Sequence, residues 1–137
     1  TNFIFNKYFR KITKGKKQTL KILEVNGRKL SLKNFYDRVI KFEFDELCNR
    51  NLGSYDYIKL SENSDFIFIS NLPNFSENNS NQQQRFITLI DIIYEKKIPL
   101  MIVSEVNLDS IKSSKSMEEP FKRTISRLYE LTSMNYN

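Results

Sequence analysis

With 137 residues, 39% of them hydrophobic and 28% charged, the chain is long enough for one domain with its own core and too apolar to be disordered. The absence of histidine removes His-based metal sites, histidine general bases and Ser-His-Asp triads, and the single cysteine, Cys48, excludes an internal disulfide. The net charge of +6 is unevenly spread: residues 1–41 hold 12 Lys/Arg against 2 Asp/Glu, and the other 96 hold 10 against 14.

Residues 1–18 (TNFIFNKYFRKITKGKKQ) form a basic arm without acids. Such an arm suits nucleic acid, anionic lipid or an acidic partner, and equally a solvated Lys-rich segment. It lacks the apolar run and cleavage site of a secretory signal, while its composition is compatible with a mitochondrial presequence. The start at Thr1 reads as a piece of a longer protein. No apolar run reaches the roughly 20 residues of a membrane helix.

Residues 19–25 (TLKILEV) predict a strand, Asn26-Gly27 a type I′ turn, and residues 28–32 the return strand, because Asn-Gly tolerates the positive φ that such turns require. Ile40, Phe42 and Phe44 alternate with Lys41 and Glu43, which predicts a third strand over 38–44, with Asp45 capping a short helix through Leu47 and Cys48. A second short helix fits 55–62. The apolar run 65–70 (DFIFIS) predicts a strand covered on both faces. A polar loop, 71–82, leads to a helix from about 81 to 96, with Phe86, Leu89, Ile90 and Ile93 on one stripe. Pro99 opens a buried strand over 99–105, and Pro120 sits in the first turn of a last helix, 120–133, burying Phe121, Ile125 and Leu128. The expected class is α/β: an N-terminal β-hairpin, then a βαβα half with a partly parallel sheet in which strands 65–70 and 99–104 are neighbours.

Arg123 and Arg127 lie four apart on the last helix and so share a face, where two guanidiniums can clamp a phosphate or carboxylate. Glu118, Glu119 and Glu130 are near enough to pair with them instead. Arg85 and Asp91 fall on different sides of the preceding helix, and Asp91, between Ile90 and Ile92, is expected to be partly buried and to need a partner. Asp56 reads as a helix N-terminal residue and Cys48 as a small buried one. The chain has three glycines and no G-x-x-x-x-G-K-[ST] loop, so it has no nest of backbone N–H groups for a triphosphate.

Three segments carry a resemblance. FEFDELCNRNLGSYDYIKLSE (42–62) is similar to F-x-F-x-E-L-C-x-x-P-L-G-x-x-D-Y-x-x-L, RFITLIDIIYEKKIPL (85–100) to R-F-x-x-L-I-D-x-L-Y-E with a following basic turn and strand, and FKRTISRLYEL (121–131) to F-x-R-T-x-S-R-L-x-E-M. The NGRKL turn (26–30) suits a G-R-x-L segment. In this order and spacing they resemble the ZapE/AFG-like P-loop ATPases, which include the lactation-elevated proteins of mitochondria. Asn51 stands where Pro is usual and Leu131 where Met is usual.

The resemblance spans residues ~20–134 and implies the C-terminal part of an ATPase whose phosphate-binding motifs lie upstream. ATP and Mg²⁺ would then be cofactors of the parent protein, not of this chain alone. The resemblance makes Arg123 and Arg127 candidates for nucleotide sensing, and Arg85 and Asp91 weaker candidates for interdomain or intersubunit contacts. It implies as partners the upstream P-loop half, cell-division proteins or protein substrates, and as compartment the bacterial cytoplasm or the mitochondrial matrix. A basic binding module for an anionic polymer or membrane, and a purely structural docking region, are the alternative readings.

Overall fold

Two tight turns shape the first half of the sheet in the computed structural model, which describes residues 2–133. Strand β1 (Thr19–Val25) returns as β2 (Arg28–Tyr36) through Asn26 and Gly27, at φ 50° and 80°, the positive values expected of a type I′ turn. β2 runs four residues beyond the predicted end and turns into β3 (Val39–Glu43) through Asp37 and Arg38, at φ 50° and 73°. A left-handed Arg is costly, and its surroundings hold it. The Arg38 carbonyl accepts the Asp65 N–H at 2.7 Å, and its guanidinium meets the Asp65 carboxylate at 2.9 Å.

The predicted third strand stops one residue short of Phe44, which opens helix α2 (Phe44–Cys48). Asp45 is not the cap. Glu43 precedes the helix, and the Glu46 carboxylate reaches back to accept the Glu43 N–H at 2.9 Å, so Phe44 is drawn out of the strand alternation. Helix α3 (Ser54–Glu62), strand β4 (Phe66–Leu72), helix α4 (Ser80–Lys96), strand β5 (Leu100–Ser104) and helix α5 (Glu118–Ser133) follow. Helix α4 ends on Lys97 at φ 56°, with the Ile98 N–H donating back to the Ile93 carbonyl at 3.1 Å, a Schellman-type closure. Pro99 lies just outside β5 but still contributes its carbonyl, which accepts the Ile67 N–H at 3.1 Å.

The five strands lie in the order β1-β2-β3-β4-β5. The first three pair antiparallel, and β3, β4 and β5 pair parallel, so strands 65–70 and 99–104 are parallel neighbours as the sequence predicts. Alternation splits β4 between two cores. Ile67 and Ile69 face a large hydrophobic core under α2, α3, α4 and α5. Phe66 and Phe68 face a second cluster with Val39, Met101 and Val103. The cover of that second face comes from residues to which the sequence reading assigns no element. Asn2–Ile12 is a helix, α1, and Phe5, Tyr8 and Phe9 pack their rings against Phe66, Phe68 and Tyr36.

Candidate functional site

Helix α5 docks on α4 because its apolar stripe and theirs meet over the sheet. Phe121, Leu128 and Leu131 are buried against Phe86, Leu89, Ile90 and Ile93, and Ile125 is half-buried at the same seam. Arg123 and Arg127 ride on the opposite side of that stripe. The seam splits their roles. The Arg127 guanidinium pairs with the Asp91 carboxylate and lies over the Tyr94 ring, 5.0 Å from its centroid. The Glu130 carboxylate near the Tyr94 phenol holds the tyrosine pKa above its ordinary value. Asp91 is exposed, not partly buried, and Arg127 is the partner it called for.

Arg123, one turn earlier, is exposed, and its side chain makes no ion pair or hydrogen bond among the described residues. Of the three glutamates near enough to neutralise it, Glu119 meets Lys122 at 3.1 Å. Arg85 is elsewhere. It donates to the Cys48 carbonyl at 3.1 Å and so ties α4 to the end of α2. Cys48 is buried, and burial drives its thiol pKa upward, with the Tyr57 contact and the Arg85 charge opposing only in part. It is a protonated packing residue, not a nucleophile. Burial likewise raises the pKa of Tyr57, whose hydroxyl donates to the Leu47 carbonyl at 2.7 Å.

Two polar anchors were not legible as pairs. Asp56 accepts the Gly53 N–H at 2.8 Å, as a residue in the first turn of a helix should, and both its carboxylate oxygens accept from the Arg28 Nη2, at 2.8 and 2.9 Å. The hairpin turn is thereby fastened to α3. Gln83, fully buried in α4, donates to the Ser113 hydroxyl at 2.7 Å and accepts the Ser114 N–H at 3.1 Å, pinning the loop before α5. A sequence scan for charge has no means of singling out Gln83, whose value lies wholly in what it touches.

Beyond the C-terminal end of β5 lies a cleft of about 520 Å³ lined by Ser104, Glu105, Asn107, Asp109 and Tyr129. A second cleft, about 610 Å³, lies between the 108–115 loop and α5, with Lys112, Lys115 and Lys122 at its edge. Neither Arg123 nor Arg127 lines either one. Among the described residues no three Cys, Asp or Glu side chains gather as a metal site. The sequence holds no glycine-rich phosphate loop of the G-x-x-x-x-G-K-[ST] form.

The profile of the AFG1-like ATPases matches residues 2–137. The chain is 30% identical over 122 residues to the cell division protein ZapE of Escherichia coli K12, covering 89% of this chain and 32% of that relative. It is 31% identical over 91 residues to lactation elevated protein 1 homolog B of Danio rerio, covering 66% of this chain and 18% of that relative. The chain thus spans about a third of the length of the bacterial relatives it matches. No solved structure matches it.

Proposed function

This chain belongs to the AFG1-like ATPase family, and on that premise we propose that it is the C-terminal part of an ATP-hydrolysing enzyme, lying beyond the phosphate-binding motifs and lending Arg123 to the nucleotide. The observation that carries this reading is the division of labour on α5. Arg127 is engaged by Asp91 and Tyr94, whereas Arg123 stands exposed and unpaired on a helix anchored by four buried or half-buried apolar side chains. A guanidinium held on a rigid element, with no competing carboxylate, is suited to a phosphate presented by another part of the protein. Catalysis of phosphoryl transfer rests on such positioned positive charge. Arg127 pairs with Asp91 across the α4–α5 seam, and Arg85 ties α4 to the end of α2. ATP and Mg²⁺ are held by the parent enzyme's upstream half, which is also the first partner of this chain. We place the parent in the bacterial cytoplasm, in the setting of cell division, with the mitochondrial matrix as the alternative address.

The test is steady-state ATP turnover by the full-length parent carrying Arg123→Ala or Arg127→Ala, each with its melting temperature. Arg123→Ala should cut turnover by something like 10–1000-fold, the range for loss of a single phosphate-stabilising donor, with melting unchanged. Arg127→Ala should lower melting slightly and affect turnover less. Normal turnover in the Arg123 variant would remove this residue from the site.

A further inference from the structure

The inward side of α1 is committed to the sheet, which leaves its outward side without a role in folding. Phe5 is buried, and Phe5, Tyr8 and Phe9 pack edge-on or tilted against sheet aromatics. Facing outward at helical spacing are Phe3, Lys7 and Arg10, flanked by Ile4 and Lys11. The helix continues into a turn fixed by Gly15 at φ 80° and by the Thr13 hydroxyl on the Phe9 carbonyl at 2.7 Å, and this turn presents Lys14, Lys16 and Lys17, all exposed. Strand β1 follows. Its Leu23 and Val25 point into the large core, so by alternation Leu20 and Ile22 point to the α1 side.

We propose that the outward side of α1, the lysine turn and the exposed side of β1 together form a docking surface for an anionic lipid bilayer. Four of the seven exposed large hydrophobic residues among those described are Phe3, Ile4, Leu20 and Ile22, and within this group of four Phe3 at 69% and Leu20 at 61% are the most exposed. They are set among cations: residues 1–36 hold ten Lys/Arg and one acid, Glu24. Charge complementarity therefore selects a polyanionic partner, and the apolar residues decide which kind. Three of the four are aliphatic and have no π face on which a base could stack, while the ring residues of α1 that could stack are, except for Phe3, turned into the sheet. Aliphatic side chains beside a lysine cluster match the pairing of shallow insertion and electrostatic attraction that holds peripheral proteins at anionic membranes, where one signal alone is marginal.

The experiment is flotation of the purified chain with vesicles of phosphatidylcholine alone or mixed with phosphatidylglycerol, at rising salt. Binding should occur only to the anionic vesicles and fall with salt. Changing Lys14, Lys16 and Lys17 together to Gln should weaken it about a hundredfold, and the Phe3→Ser/Ile4→Ser pair at least about tenfold. Because these side chains are exposed, both variants should keep the parental circular dichroism melt. Equal binding to neutral and anionic vesicles overturns the proposal, as does no binding to either. So does tighter binding to polyuridylate that the Phe3 and Ile4 changes leave untouched.

Discussion

On one face of the sheet, α2, α3, α4 and α5 bury a large mixed core of aliphatic and aromatic side chains drawn from residues 23 to 131; on the other, among the described residues, α1 alone covers a smaller cluster centred on Phe66 and Phe68. The first core is closed by elements that also brace one another, through Arg85 on α2, Gln83 on the loop before α5, and Arg127 on Asp91. The second depends on a single 11-residue helix with no acid in its first turn, too short to hold itself in water. The contrast teaches that the parallel half is a mutually supported unit, while α1 is held only by what it buries. Its opening free energy is therefore bounded by its docking, not by the global stability.

The largest effect tests the braced face. Phe86→Ala, at a fully buried position between Phe44 and Phe75, should cost ~3–5 kcal/mol in urea unfolding, through lost transfer energy and a cavity that its neighbours cannot fill. The matching change on the other face, Phe5→Ala, should cost only ~1–3 kcal/mol, because α1 can undock before the full cavity cost is reached. Hydrogen exchange makes the comparison directly: amides of α1 should exchange ahead of those in α4, and further ahead in the Phe5 variant. Equal protection of the two helices would break it.

A smaller effect concerns the hairpin. Arg28→Ala leaves the Asp56 carboxylate buried at 3% exposure with only the Gly53 N–H, and the expected loss is ~1–2 kcal/mol, discounted because Arg28 itself is 53% exposed. A denaturant midpoint unchanged from the parent would show that water replaces the guanidinium at no cost. The smallest effect is at the α4–α5 seam. Asp91→Ala removes a half-exposed pair and should change stability by under ~1 kcal/mol, with the residual shift declining as salt rises. A loss well above that would make the Arg127–Asp91 contact a main brace of the two helices.

Much of this architecture follows from local pattern. Asn26-Gly27 admits positive φ in both positions, Phe86, Leu89, Ile90 and Ile93 repeat at the helical period, and the unbroken run at 66–69 requires cover on both faces; chain connectivity then leaves few ways to arrange β4, α4 and β5. The three motifs that place the chain in its family were legible for the same reason, since each is a contiguous string. What the string could not decide is which side chains meet across distance. The periodic Phe5, Tyr8, Phe9 and Ile12 carry a helix signal, but only a sheet face lacking other cover gives that helix a place to dock. Phe44 continues a strand alternation until Glu46 caps the Glu43 N–H and pulls it into α2. Arg123 and Arg127 are equivalent in the sequence, four residues apart on one helix. Only the packing of α5 on α4 sets Asp91 and Tyr94 beside Arg127 and leaves Arg123 to solvent, because the register between two helices is fixed by their buried stripes and not by the charges they carry outside.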